Sequence, residues 1–327
     1  MTLDTQILNA LRSAGSGAVS GAELSHHLGI SRAAVWARIE DLRALGYEIE
    51  ASPHQGYRLV NVPDALHADD LLSRLGRTHV VGRDIRVFEE TTSTNDVIEK
   101  LARDGVAEGV VVFAESQTRG RGRLGRKWMS PARKGLWFSV LLRPRLRPQE
   151  TTQLTVASAT ALRRAIAAQA GVNAGIKWPN DVLVGGKKVA GILTELSAEL
   201  DQVKYVIVGI GVDVNLNASD FPADLRKSAT SLKVEAGKPI VRAELAVAIL
   251  RELDADYRRI TADAFAAVAD EWAAHCGTLG EQVVIRTGAR QLRGRAEALG
   301  DDGALLLRTE HGHLERIVGG DLTLEKA

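Results

Sequence analysis

A single cysteine, Cys276, stands among 327 residues, so no internal disulfide can form and a reducing compartment is expected. Aromatic residues make up 4% of the chain, which makes each of its five tryptophans a marked position. No apolar run approaches the ~20 residues of a membrane span. The first residues, MTLDTQILNALRSAG, lack the basic stretch and apolar core of a secretory signal. A cytoplasmic location without membrane contact is expected. Net charge is lacking as well. The 42 Lys and Arg against 41 Asp and Glu leave +1, so bulk charge neither demands nor excludes a nucleic-acid partner. What remains, 45% hydrophobic and 25% charged, is ordinary globular composition. The length allows two or three domains of about 100–200 residues.

Leu3, Ile7, Leu8 and Leu11 fall at helical spacing over residues 3–13. Ser20 to Glu23 form a capping-box pattern that opens a short helix through His27 and Leu28, which Gly29 stops. Ser31 then caps a third helix, with Val35, Ile39, Leu42 and Leu45 on its buried face and Gly46 at its end. Two helices joined by the short LGIS turn are a helix-turn-helix arrangement. Residues 47–51 and 57–60 predict two strands, and SPHQG between them predicts a hairpin turn, or wing, holding His54 and leading to Arg58. Ser31, Arg32, Trp36 and Arg38 on the third helix are the candidate DNA contacts. A helical packing module without DNA contact is the competing reading. Residues 1–62 carry five Arg, no Lys and six acids, a net −1 that is poor for non-specific phosphate binding.

Between residues 116 and 147 there are ten Lys and Arg and no acid. They follow the apolar strand GVVVFAE at 109–115 and begin with SQTRGRGRLGRKW. Gly120, Gly122 and Gly125 fit a dinucleotide-binding fingerprint, but that fingerprint needs an apolar helix next, and RKWMSPARKG is not one. A general nucleic-acid patch would not require such regular Arg–Gly alternation. A third reading is a loop that folds over a ligand, its glycines permitting tight turns and its Arg forks holding phosphate oxygens. Mutual repulsion of the arginines should make such a loop mobile when empty.

In residues 175–196, IKW and DVLV predict strand fragments around Pro179, GGKK a hairpin turn and VAGILTEL the returning strand. Lys177, Asn180, Asp181 and Lys188 should converge there. Asp181, beside Trp178 and Pro179, suits metal or phosphate chemistry. YVIVGIGVDVN at 205–215 predicts a buried strand whose Gly209 and Gly211 allow close approach of a ligand. TTSTND at 91–96 predicts the cap of the following helix.

Thr92-Ser93-Thr94-Asn95, Gln117 with GRGRLGRKW, KWPND at 177–181, Lys188 with VAGI, and GIGVDVN at 209–215 resemble the biotin–protein ligases in order and spacing. With the winged helix-turn-helix in front, the chain resembles the bifunctional type that is also the biotin operon repressor. The resemblance covers nearly the whole chain. It implies an α+β multidomain fold in three parts. Residues 1–62 would be a winged helix-turn-helix DNA-binding domain. Residues 63–276 would be a catalytic α/β domain like those of class II aminoacyl-tRNA synthetases, with a mixed sheet. Residues 277–327 would be an SH3-like β-barrel, and VVIR, LRGRAEALG, ALLLRT and LERIV there read as its strands.

The resemblance also implies roles for single residues. Ser93, Thr94, Asn95 and Gln117 match biotin contacts. Arg121, Gly122 and Arg123 match the loop that covers biotin and the adenylate, and Lys188 the lysine near the biotin carboxylate and the α-phosphate. Arg126, Trp128, Asn180 and Asp213 fall on the ATP side, with Trp128 closing over adenine. Asp181 matches a carboxylate placed for Mg²⁺ or for the incoming lysine. The chain departs from the family at Asp213, where Asn is usual; an ionised Asp can only accept hydrogen bonds, whereas Asn also donates. The implied reaction joins biotin to ATP with Mg²⁺, giving biotinyl-5′-AMP. Biotin then passes to a lysine of the biotin carboxyl carrier protein of acetyl-CoA carboxylase. Lys188, Arg121, Arg123 and Asp181 are the catalytic candidates. Operator DNA and a ligand-promoted homodimer are the implied regulatory partners. A ligand sensor without catalysis and a lipoate-type ligase are the alternatives.

Overall fold

The computed structural model describes residues 2–53 and 55–324, so the expected wing residue His54 lies outside the described residues. Two compact units divide the chain after Arg77.

In the first unit, α1 (Leu3–Ser13), α2 (Gly21–Leu28) and α3 (Arg32–Ala44) begin at side-chain caps. The Ser20 hydroxyl accepts from the Glu23 amide at 3.0 Å and the Ser31 hydroxyl from the Ala34 amide at 3.1 Å. Gly29 ends α2 in the left-handed backbone that glycine adopts without strain, φ 66°. Ile7, Leu8, Leu11, Leu24, Val35, Ile39 and Leu42 form one buried cluster where the three helices meet. β1 (Glu48–Ser52) and β2 (Gly56–Asn61) pair as an antiparallel hairpin. Leu45 departs from expectation. It lies one residue past the end of α3, where the chain turns toward β1, and is 48% exposed. The unit also includes α4 (Ala68–Leu75), so it runs beyond residue 62. Arg12 of α1 bonds both Asp70 and Ser73 of α4, and Arg74 holds the same buried Asp70 at 2.7 Å. Those ion pairs tie α4 to the helical bundle. Loss of the cap in Ser31→Ala should cost about 1 kcal/mol, roughly a fivefold rise in the population of opened α3. Hydrogen exchange of the α3 amides in the full chain reads this directly, and unchanged protection would count against the cap.

The second unit is built on a mixed seven-stranded sheet. Its strands and helices run β3 (Asp84–Thr91), α5 (Thr94–Arg103), β4 (Val110–Gln117), β5 (Gly135–Leu142), α6 (Thr152–Ala170), β6 (Gly175–Lys177), β7 (Asp181–Val184), β8 (Lys187–Glu199) and β9 (Gln202–Asp213). The spatial order is β3-β4-β5-β9-β8-β7-β6, with β3 and β4 parallel and the other neighbours antiparallel. Strand alternation gives the sheet two apolar faces. On one, Val110, Val112, Leu141 and Ile207 pack beneath Ile98 of α5. On the other, Val140, Leu142 and Val208 meet α6 and the later helix α8. α7 (Leu232–Ala236), α8 (Arg242–Thr261) and α9 (Phe265–His275) follow β9, and α6 packs on both α8 and α9. Arg242 at the start of α8 is fully buried and bonds Glu115 of β4 at 2.6 and 3.2 Å, each neutralising the other.

The chain ends in five strands, β10 (Gln282–Thr287), β11 (Arg290–Leu299), β12 (Leu305–Thr309), β13 (Leu314–Ile317) and β14 (Asp321–Leu324). They form an antiparallel sheet in the order β13-β12-β11-β10-β14, open between its two edges. The last strand, β14, has no counterpart among the four expected from sequence. It is only four residues long and follows a Gly-Gly pair.

Candidate active site

The face of the central sheet that carries α5 is polar at one end. Odd-numbered residues of β5 and β9 point there, which brings Ser139, Gly209, Gly211 and Asp213 to one surface. A cavity of about 450 Å³ opens over them, within the range of small-molecule sites. Ser93, Thr94, Asn95, Gln117, Arg121, Gly122, Arg123, Arg126, Trp128, Asn180, Asp181, Lys188 and Asp213 all line it. Every residue proposed from sequence for the small-molecule site is thereby gathered in one place. A wider recess of about 770 Å³ lies between α5 and the outer ends of β8 and β9. Its walls are surface ion pairs such as Arg103–Glu99, so it lacks the buried polar groups that fix a ligand.

At one end of the cavity Ser93 stands at the N-cap position of α5 without a side-chain cap bond, and Ser93, Thr94 and Asn95 are all buried. The Thr94 amide donates to Gln117 Oε1 at 2.9 Å. Ser139 Oγ donates to Asn95 Oδ1 at 2.5 Å and stands 2.6 Å from Thr94 Oγ1. Since the Ser139 proton is committed to Asn95, the Thr94 hydroxyl is the donor of that pair. Asn95 Nδ2 donates onward to Glu195 Oε2 at 2.7 Å. The chain of donors needs a bare backbone beneath it: a Cβ on Gly209 would come within 2.3 Å of Asn95 Oδ1.

The Arg–Gly loop crosses above. It is pinched at its base, where the Trp128 amide donates to the Gly120 carbonyl at 2.9 Å and Gly122 N–H to the Arg126 carbonyl at 2.6 Å. A short 3₁₀ turn at Arg123–Gly125 forms its tip, not the apolar helix of a dinucleotide fold. The expected repulsion among its arginines is offset by acids and carbonyls from distant parts of the chain. Arg121 pairs with Asp96 at 2.5 Å and with Glu195 at 3.0 Å. Arg123 Nη1 reaches Asn180 Oδ1 at 3.4 Å and the Gly320 carbonyl at 3.5 Å, and Arg126 bonds Asp321. The C-terminal sheet therefore holds two of the loop's arginines. Asp96, Ser139, Glu195, Gly320 and Asp321 were not singled out from sequence. Asp96 and Glu195 stood there only as members of the stretches TTSTND and VAGILTEL, with no role assigned.

At the other end, Lys188 Nζ lies 2.6 Å from Asp181 and 5.1 Å above the Trp128 ring. Asn180 is clamped to β8, its Nδ2 donating to the Ile192 carbonyl at 2.8 Å. Trp128 stands edge-on to Trp137 at 6.4 Å. Burial drives the Asp213 carboxyl well above the usual carboxylate range, against the pull of Lys188. The arrangement sets a hydrogen-bonding end, a cationic middle and an aromatic end side by side. It can hold a polar ring, an acidic group under attack, and a planar base.

In the first unit, Ser31, Arg32, Trp36 and Arg38 are all exposed on α3. Arg38 is drawn to Asp41 at 3.5 Å and Asp4 at 4.0 Å, while Trp36 is 57% exposed.

Residues 87–213 match the biotin/lipoate A/B protein ligase family, residues 4–58 a helix-turn-helix domain and residues 278–323 the biotin protein ligase C-terminal domain. A Bacillus subtilis protein called bifunctional ligase/repressor BirA is 39% identical over 323 residues, 99% of either chain. The biotin–[acetyl-CoA-carboxylase] ligase of Paracoccus denitrificans is 36% identical over 69% of this chain and 95% of its own. Among solved structures, the biotin protein ligase of Aquifex aeolicus in complex with biotin and ATP superposes with a TM-score of 0.64 at 31% identity. That match covers 75% of this chain and 100% of that one.

Proposed function

Because this chain belongs to the bifunctional ligase/repressor family, we propose that it activates biotin with ATP, transfers it to a biotin carboxyl carrier protein, and represses transcription through its helix-turn-helix. The observation that carries the ligase reading is the convergence of Arg121, Arg123 and Lys188 on one cavity with the buried Ser93–Asn95 cluster.

The chemistry follows from the leaving group. A carboxylate does not condense with an amine in water until one of its oxygens leaves readily. A biotin carboxylate oxygen bonds the α-phosphorus of ATP while the bond to the bridging oxygen breaks, releasing pyrophosphate. Lys188, Arg121 and Arg123 stabilise the charge gathering on the α-phosphate oxygens. Ser93, Thr94, Asn95 and Gln117 hold the biotin ring, while Asn180, Arg126, Trp128 and Asp213 hold the nucleotide. The loop keeps water from the mixed anhydride. The carrier lysine then attacks the acyl carbon as a free amine, and AMP leaves.

Among the described residues no three His, Cys, Asp or Glu side chains converge to hold a metal, and Asp181 already faces Lys188. Magnesium is therefore taken as part of the Mg·ATP substrate, on phosphate oxygens. Asp181 steers Lys188 and is placed to face either the Mg²⁺ of that substrate or the incoming lysine.

The test is incubation with Mg·ATP, biotin and a biotin carrier domain. Biotin on the carrier is expected, and lipoate in its place should label nothing. Pyrophosphate release without carrier labelling would overturn the transfer role. No pyrophosphate at all would leave a ligand sensor.

For the regulatory half, the β1–β2 hairpin serves as a wing beside α3, and the C-terminal strands as an SH3-like lobe beside the catalytic domain. The functional division is 1–62, 63–276 and 277–327. No described helix is long and apolar enough to cross a membrane, and the protein acts in the cytoplasm with its DNA. A net −1 module cannot hold DNA alone, so two copies must be joined, through the central sheet, with the ordered loop over biotinyl-AMP favouring the dimer. A gel shift on DNA upstream of the biotin genes should require both biotin and ATP. Arg32→Ala should weaken it and lower the slope of log affinity against log salt by about one. No shift at low salt would leave the N-terminal unit a structural part of a ligase.

A further inference from the structure

Behind the hydrogen-bonding end of the cavity, four side chains form a relay whose direction is set at its far end. Glu195 Oε2 accepts from Asn95 Nδ2 at 2.7 Å and from Arg121 Nη2 at 3.0 Å, and its Oε1 accepts from Arg121 Nε at 3.2 Å. All three partners are N–H donors, so Glu195 offers lone pairs alone. Asn95 must therefore turn its amino group to Glu195 and its carbonyl to Ser139. Ser139, fully buried on β5, must donate to that carbonyl at 2.5 Å and accept from Thr94 Oγ1 at 2.6 Å. Thr94 has one proton, and Ser139 claims it over the more distant Gln117 Oε1 at 3.3 Å.

The relay gives the cavity a polarity. Thr94 lines it with its proton spent inward, so toward a ligand its oxygen can only accept. The neighbouring Ser93 hydroxyl has no partner among the described residues and is free to donate. An acceptor beside a free donor complements the N–H beside the C=O of a cyclic urea. A dithiolane ring, with neither group, would leave both hydroxyls unpaired. Glu195 and Ser139 are absent from the cavity lining, and Glu195 faces the neighbouring recess, so both act through the residues that do line it.

We propose that Glu195 is a positioning residue: through Asn95 and Ser139 it fixes the direction of the relay and so makes Thr94 the acceptor for a ring N–H. The proposal rests on the biotin-dependent reading above. Arg121, the other partner of Glu195, is a donor only. In Glu195→Gln it therefore takes the carbonyl of the substituted side chain and leaves the amino group facing Asn95. Asn95 must then flip, Ser139 must turn its proton to Thr94, and the Thr94 hydrogen is driven against the ring N–H. Arg121 itself stays held, because Asp96 still pairs with it at 2.5 Å.

The experiment measures KM for biotin and KM for ATP from pyrophosphate release by the full chain with Mg·ATP. Glu195→Gln should raise KM for biotin on the order of 10- to 100-fold and move KM for ATP by less than about threefold. Asn95→Asp alone sets two carboxylates face to face and should raise KM for biotin at least as far. Asn95→Asp and Glu195→Gln together return the original direction, since the new amide donates and the new carboxylate again accepts from Ser139. The pair should have a KM for biotin about tenfold below that of Asn95→Asp alone. Ser139→Ala cuts the relay without touching Arg121; it should raise KM for biotin about tenfold, and adding Glu195→Gln should raise it no further. A wild-type KM for biotin in Glu195→Gln or Ser139→Ala, an equal rise in KM for ATP, no gain in the pair, or additive effects of Ser139→Ala and Glu195→Gln overturns the proposal while leaving the ligase reading intact. No pyrophosphate from the wild type with biotin and ATP overturns both.

Discussion

Lys188→Ala is expected to slow formation of biotinyl-AMP by about 10²–10³-fold, the effect of removing one aligned electrostatic stabiliser from a reacting centre. The ammonium stands 2.6 Å from Asp181 and over the Trp128 ring, in the cationic middle of the cavity. Truncation removes the cation and also leaves Asp181 as an unopposed negative charge where a phosphate must sit, so both changes disfavour the transition state. The fold should persist. The side chain is part-exposed, and the backbone bonds from Lys188 N–H to the Ser228 carbonyl and from Thr230 N–H to the Lys188 carbonyl do not need it. Single-turnover adenylation is the measurement, and a rate within a few-fold of wild type would take Lys188 out of the mechanism.

Arg123→Gly should let the intermediate escape. Arg123 joins the tip of the loop to Asn180 on the cavity wall and to the Gly320 carbonyl just before β14. Losing a charge-assisted bond of this kind costs about 1.5–3 kcal/mol, so the adenylate should be held on the order of 10- to 100-fold more weakly. Released biotinyl-AMP acylates exposed lysines without selection. Serum albumin added in excess should then become biotinylated alongside the carrier. Labelling confined to the carrier would mean that another element seals the cavity.

What could be read from sequence was local. Ser20, Gly29 and Ser31 set helix ends through contacts three to five residues away, and those ends lie where the caps require. The strands about Pro179 and the GGKK turn were legible for the same reason, since turn chemistry is fixed by adjacent residues. The list of cavity residues came from motif resemblance, and the geometry gathers them together. The groups that hold them were not legible. Glu195 meets Arg121 across 74 residues, and Asp321 meets Arg126 across 195. No periodicity reports which acid will neutralise which arginine at such separations. The loop's own sequence, rich in cations and free of acids, pointed to repulsion because its counter-charges are encoded elsewhere. Asp213 was visible as a residue, but the upward push on its carboxyl follows from desolvation, which only packing creates.

The tie between the Arg–Gly loop and Gly320–Asp321 has a consequence for synthesis. The helix-turn-helix is complete within the first unit, whereas the loop's anchor is made last. At roughly 5–20 residues per second, Asp321 is polymerised about 10–40 s after Arg126. During that interval the nascent chain carries a finished DNA-reading module and a catalytic cavity that cannot yet fasten its cover. A chain stopped before residue 320 would therefore keep the whole helix-turn-helix unit and lack the groups that hold Arg123 and Arg126 over the cavity.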